Sequence, residues 1–197
     1  MTKKNYIPFI VLILCINLIV YFPGLNGRFI WDDHDLLENN EFIKDIKNVK
    51  TVFVSEYWEH HGNNNITYPK MFYRPIALLS YIIDYSLWKE NTFGYRLHNL
   101  LLHSITSLLI FGLISHFIKN VNISFISTLF YSLHPSKVQT INYASLGRTS
   151  ILAAFFFFLS FFLYSKYDEH IKLKKTFLFL TSLISYALAI LSNETAF

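Results

Sequence analysis

The sequence is short of charge and of cysteine. Charged residues fill 15% of its 197 positions, against about a quarter in soluble domains. Set beside 53% hydrophobic and 18% aromatic residues, that deficit excludes an ordinary soluble domain and points to an integral membrane protein. A single cysteine, Cys15, excludes an intrachain disulfide and a cysteine metal site. It lies inside an apolar run and reads as packing. The net charge of +4 is small, and no basic patch is interleaved with aromatics as in single-strand binders, so no nucleic-acid partner is expected. No internal 34-residue repeat occurs.

What the chain does have is a series of apolar runs. Ile7 to Phe22 is apolar apart from Asn17, and a helix from about Tyr6 to Leu25 is long enough to span a bilayer. A cleaved signal peptide is the rival reading. The exit, Tyr21 to Gly24, offers no small-residue cleavage site, and bulky Leu14 precedes Cys15 where a lipoprotein signal carries a small residue; an uncleaved anchor fits better. Further spans are expected over Tyr95–Ile118, Val121 to about Tyr143, Leu146–Lys166 and Thr176–Leu191. The third is interrupted by His134-Pro135, where proline removes a backbone donor. The expected fold is therefore an all-α integral membrane protein of about five transmembrane helices, forming one domain over 1–197.

Residues 26–94 form the one long polar stretch, the expected first extracytoplasmic loop. Within it Pro75 suits the first turn of a helix. The run to Trp88 would be roughly 20 Å long, too short to span comfortably. Tyr81, Tyr85 and Trp88 suit the membrane interface, so Pro75–Trp88 is expected to lie on or dip into the surface. A short buried helix is the alternative.

Lysines in short loops set orientation. With five spans Lys3, Lys4, Lys119, Lys166, Lys172, Lys174 and Lys175 share one side, the cytoplasmic one, together with the amino terminus. Asp32, Asp33, Arg74, Arg96, His98, His134, Arg148 and Glu194 then converge on the opposite, extracytoplasmic face.

The stretch Gly27 to Asp35 (GRFIWDDHD) places three carboxylates and a histidine just past the first apolar run. Charge so close to a membrane is costly unless used. A carboxylate pair can take a proton from a hydroxyl or hold a divalent cation. Arginines on the same face suit a phosphate. Together they suit glycosyl transfer from a lipid-linked sugar phosphate, although on spacing alone a solvated loop start after a helix is the favoured reading of Asp32, Asp33 and Asp35. His98 and His103 are five apart and do not share a helix face, so interhelical hydrogen bonding is expected rather than metal ligation. His60 and His61 read as solvated.

Five motifs in order give a resemblance: Gly27–Asp33 (GRFIWDD), Tyr73-Arg-Pro75 before an apolar helix, His98–His103 (HNLLLH), His134-Pro135 with Gly147-Arg148, and Ser192–Ala196 (SNETA). The chain resembles the amino-terminal part of the GT-C membrane glycosyltransferases, in the protein O-mannosyltransferase-like group that includes the transmembrane and tetratricopeptide-repeat proteins. That resemblance implies an extracytoplasmic active face in a bacterial plasma membrane or the endoplasmic reticulum. It implies a polyprenyl- or dolichyl-phosphate donor, commonly of mannose, and a hydroxyl acceptor, usually a protein Ser or Thr. It makes Asp32 or Asp33 the base. It makes Arg74, Arg148 and His134 contacts to donor phosphate or acceptor, with Arg96, His98 and Glu194 as further substrate-binding candidates on that face. The family has more spans than this chain. Relatives often carry acidic residues where Gln139 and Ser150 stand here, and a lysine in place of Asn193. A transporter or binding protein for lipid-linked sugars, and an assembly subunit without a site, are the rival readings.

Overall fold

The computed structural model describes residues 5–62, 72–167 and 172–196. Lys3 and Lys4 lie outside them, as do 168–171 of the expected loop Tyr167–Lys175 and the side chain of Lys172, whereas Lys172 to Lys175 of that loop already form the first turn of a helix. The described residues are helical and contain no strand. The helices are α1 (Ile7–Tyr21), α2 (Glu41–Lys44), α3 (Pro75–Trp88), α4 (Thr92–Ile118), α5 (Val121–Ser132), α6 (Ser136–Asn142), α7 (Leu146–Ser165) and α8 (Lys172–Ile190).

Helix α1 is apolar on every side, and only Ile13, Asn17 and Tyr21, one turn apart, are buried. Ile7, Val11, Leu18 and Ile19 stand exposed. A helix apolar all round with a narrow inner stripe belongs in lipid. Among the described residues three stretches are long and apolar enough to cross a membrane: Ile7–Gly24, Thr92–Ile118 and Leu146–Ser165. Asn91 caps α4 by accepting the Phe93 N–H at 3.1 Å, and Asn120 caps α5 by accepting those of Asn122 and Ile123. Lys119 closes α4 in the left-handed conformation (φ 57°).

The expected third span over 121–143 is two helices, not one. Helix α5 stops after 12 residues, about 18 Å and short of a bilayer core. Pro135 has no N–H to return to the preceding turn, and the chain restarts as α6. The break leaves the Ser132 carbonyl without a helical partner. The Tyr21 hydroxyl donates to it at 2.6 Å, and His103 Nε2 lies 3.0 Å from it. His103 thus makes the interhelical bond expected of it.

Helices α7 and α8 form an antiparallel hairpin. The Ser182 hydroxyl donates to the Ser160 carbonyl at 3.0 Å, and Asn193 Nδ2 donates to the Thr149 hydroxyl at 3.0 Å. A separate apolar core lies at one end of the bundle. Phe29, Leu36, Leu37, Ile43, Val52 and Tyr57 from the long loop pack on Ala77, Leu78, Tyr81 and Ile82 of α3. The inner face of α3 is therefore buried, while Ile83 and Leu87 stay exposed.

Candidate active site

The polar residues gather where α1 ends and α7 begins. The chain leaves α1 through the turn Phe22–Gly24 and reaches Trp31, which holds a positive φ of 48°. That conformation is strained for a bulky residue. It turns Trp31 outward, 77% exposed, at the start of the helical turn that carries Asp32 and Asp33.

Asp33 points inward and is fully buried. Its Oδ1 accepts the Ser145 N–H at 2.8 Å and the Ser145 hydroxyl at 2.6 Å. Its Oδ2 accepts the Ile30 N–H at 3.3 Å and the Ala144 N–H at 3.4 Å. Burial pushes the Asp33 carboxyl up, and these donors pull it part of the way back. Four donors occupy both oxygens, so Asp33 clamps the loop to the start of α7. From Ser145 a hydroxyl chain continues: Tyr81 donates to the Ser145 carbonyl at 2.8 Å, and its oxygen lies 2.9 Å from that of Tyr57. Since Tyr81 has spent its proton, Tyr57 is the donor between the two phenols.

Asp32 is only half-buried. Its N–H donates to the Tyr143 hydroxyl at 3.3 Å, and its carboxylate lies beside that phenol. Burial, with the Asp32 and Asp33 charges adding to it, pushes the Tyr143 phenol up to about 12, so it remains a neutral hydroxyl at ordinary pH.

Asp84 was not marked by the sequence motifs. It is fully buried on α3, where His98 Nδ1 makes a short contact to Oδ1 and Arg148 Nη2 donates to Oδ2 at 2.6 Å. Arg148 also donates to Asn99 Oδ1 and to the Tyr95 carbonyl. Asn99 passes the chain on, donating to the carbonyls of Ile141 and Tyr143 at 3.1 and 3.2 Å. An acidic residue inside an apolar run is the signal that could have found Asp84. His98 retains about a third of its side-chain exposure.

The remaining candidates fall into two sets. Arg96 is buried, and its guanidinium donates to the carbonyls of Asn142 (2.8 Å), Arg28 and Gly24, stapling the end of α1 to α4 and α6. A side chain at Gly27 would start 2.3 Å from Arg96 Nη1, so a larger residue there would have to displace the guanidinium from its carbonyl partners. Arg74 makes a fork onto Glu194, with Nε to Oε2 at 2.9 Å and Nη2 to Oε1 shorter still. It lies 5.0 Å from the Tyr57 ring centre and 4.8 Å from that of Phe72. Arg74 holds the Glu194 carboxyl below the usual range. His134 is exposed beside the helix break, its Nδ1 accepting the Ser136 N–H at 3.3 Å. Among the described residues no group of three or more His, Cys, Asp or Glu comes together to hold a metal ion.

One side of this cluster opens into a groove of about 430 Å³ lined by Ile30, Trp31, Pro135, Val138, Gln139, Asn142 and Tyr143. The arrangement presents the half-buried Asp32 carboxylate, a neutral phenol and an exposed indole beside Asp33, Asp84, Arg74, Arg96 and Arg148, each held by protein partners.

The family model of dolichyl-phosphate-mannose-protein mannosyltransferases matches residues 67–195. The chain belongs to that family. The matched segment takes in Arg74, Arg96, His98, His134, Arg148 and Glu194, and Asp32 and Asp33 lie upstream of it. Among curated proteins, the family's relatives include the Caenorhabditis elegans protein O-mannosyl-transferase F38B6.6, 23% identical over 81% of this chain and 23% of its own length. The human protein O-mannosyl-transferase TMTC3 is 24% identical over 80% of this chain and 17% of its own. The mouse protein O-mannosyl-transferase TMTC4 is 25% identical over 91% and 26%. The chain thus spans about a quarter or less of the length of these relatives. No solved structure matches it.

Proposed function

We propose that this chain forms the acceptor-activating side of a membrane mannosyltransferase site, with Asp32 as the general base. The donor is mannose linked through phosphate to a polyprenol or dolichol, and the acceptor is a hydroxyl, most simply of a protein Ser or Thr. Asp32 removes the hydroxyl proton as the acceptor oxygen bonds to C1 of the sugar. The C1–O bond to phosphate breaks, and its electron pair leaves with the polyprenyl phosphate. The observation that carries this reading is the division of labour between adjacent carboxylates. All four contacts to Asp33 are structural, whereas Asp32 is reachable beside a neutral phenol at the edge of a groove. Its family membership and the names of its relatives support the sugar and the reaction class.

Arg74, Arg96, Arg148 and Asp84 are positioning residues in this account, because each is held by protein partners. His98 and His134 keep accessible ring edges and are assigned to substrate contact, His134 to the donor phosphate. Glu194, 44% exposed on its side chain, stands at the outer edge of the Arg74 fork. No step is routed through a divalent cation. The lysine-bearing ends of the helices are assigned to the cytoplasm and residues 26–94 to the extracytoplasmic side, with the exposed face of α3 at the membrane surface. The test is mannosyl transfer by the whole protein in membranes after Asp32→Asn. Loss of transfer with retained folding supports the base. Retained transfer rejects it, and a protein that binds the donor without transferring sugar is a carrier rather than an enzyme.

A further inference from the structure

A cleft of about 440 Å³ lies between α1, α4 and α7 at the far end of the bundle from the candidate active site. Lys166 on its rim is separated from Ser145 by the length of α7, roughly 30 Å. Three chain segments line the cleft in the same order. One turn outward, Ile10 gives way to Tyr6 at the start of α1, Gly112 to His116 on α4, and Phe162 to Lys166 at the end of α7. Residues four apart share a helix face, so the walls are apolar within and polar at the rim. The floor is α4 from Leu108 to His116, roughly 12 Å of helix and close to one leaflet's hydrocarbon depth of about 15 Å. Gly112 keeps that floor low, since a Cβ there would lie 3.0 Å from Phe162 Cε2. Lysines and aromatics at helix ends are ordinary interfacial anchors. These, however, meet across helices instead of spreading into the headgroups. The part-buried Lys166 ammonium, which can only donate, bonds His116 Nδ1 at 3.1 Å. With Nδ1 accepting, the neutral ring carries its proton on Nε2. An ammonium and a ring N–H donor thus stand together over an apolar shaft. Tyr6 closes the opposite rim, edge-on to Phe111 with ring centres 6.1 Å apart.

We propose that this cleft is a binding site for an anionic glycerophospholipid of the bilayer. One acyl chain lies between Ile10, Phe111 and Phe162, and the phosphate sits on Lys166 and His116. Basic pockets between transmembrane helices suit such headgroups. The order of polarity and the charge select the occupant. A soluble anion would leave the apolar walls without a partner, and a zwitterionic lipid would bring its own cation up to the ammonium. The site involves neither the sugar nor Asp32 and does not rest on the mannosyltransferase reading. A lipid seated there bridges α1 to α7 and stabilises the folded bundle by mass action. Asp168 and Glu169 follow Lys166 in the sequence, so the test must separate them from a lipid phosphate as the counter-charge.

The test places the whole protein in nanodiscs of equal parts phosphatidylcholine and phosphatidylglycerol, and native mass spectrometry counts the lipids it retains. One phosphatidylglycerol is expected to stay bound in preference to phosphatidylcholine. Lys166→Gln is expected to weaken it about fivefold, the worth of one lysine near an anionic surface, and Lys166→Arg to keep it. Phosphatidylglycerol carrying a diazirine in its acyl chain is expected to label Leu108–Gly112 or Phe162. That label should disappear in Ile10→Trp, whose larger side chain fills the cleft. Equal retention of the two lipids, label spread over the outer faces of α5 and α8, or unchanged affinity in Lys166→Gln overturns the site. Inorganic phosphate competing as strongly as the lipid overturns it as well, because the cleft would then read a free anion. A preference that emerges only after Asp168→Asn with Glu169→Gln also overturns it, by assigning the counter-charge to the chain itself.

Discussion

Asp84 on α3 and Arg148 in the first turn of α7 meet 64 positions apart in sequence, with Nη2 donating to Oδ2 at 2.6 Å and neither side chain more than 2% exposed. This pair ties the loop subdomain to the bundle. His98 and Asn99 satisfy the remaining oxygen and a guanidinium donor.

Breaking that pair from one side leaves a buried charge uncompensated. Asp84→Ala is expected to cost about 3–5 kcal/mol. Replacing both partners, as Asp84→Ala with Arg148→Leu, should cost less than the sum of the two single changes. Thermal unfolding of the solubilised protein and its three variants measures the coupling. Strict additivity would mean that the pair does not interact.

Gly147 admits no side chain. A Cβ there would lie 2.0 Å from the Thr140 carbonyl oxygen, a backbone atom of α6 that cannot swing away. Gly147→Ala must push α6 from α7, and overpacking of this kind typically costs about 1–3 kcal/mol. An unchanged melting temperature would show that the two helices can separate freely.

The Arg74–Glu194 fork sets an acid limit. Arg74 depresses the folded Glu194 carboxyl below its ordinary value of 4.5. A depressed carboxylate contributes stability that is present above the unfolded value and lost as pH falls through the lower folded one. The parent should therefore lose more stability than Glu194→Gln on acidification below about pH 4.5. Parallel curves for the two proteins would contradict the fork. Solvent screens the exposed glutamate, so the effect is modest.

Much of the helical frame was legible in the sequence because apolar runs and chain breakers are local signals. Pro75 and Trp88 bound α3 as read, and Leu146 opens α7. The third apolar run was harder. Its composition continues past Leu133, but the missing donor at Pro135 divides it. The site was less legible because its partners are distant. Nothing near Asp84 announces Arg148, and adjacent Asp32 and Asp33 look alike until the strained turn at Trp31 sends one inward. His98 was marked for substrate, whereas its Nδ1 serves Asp84 and only its other edge is accessible. The arginines suit phosphate by residue type, and the protein partners that hold Arg74, Arg96 and Arg148 in the folded chain lie too far along the sequence to be read from it.

The most direct test compares Asp32→Asn with Asp33→Asn in membranes carrying the whole protein, measuring mannosyl transfer from polyprenyl-phosphate mannose alongside thermal stability. Removing a general base should lower transfer by about 10²-fold or more in Asp32→Asn with stability unchanged. Asp33→Asn turns an amide NH₂ toward backbone donors and should cost about 1–3 kcal/mol of stability. Parental transfer by Asp32→Asn, or loss of stability in that variant rather than in Asp33→Asn, would contradict the assignment of the base.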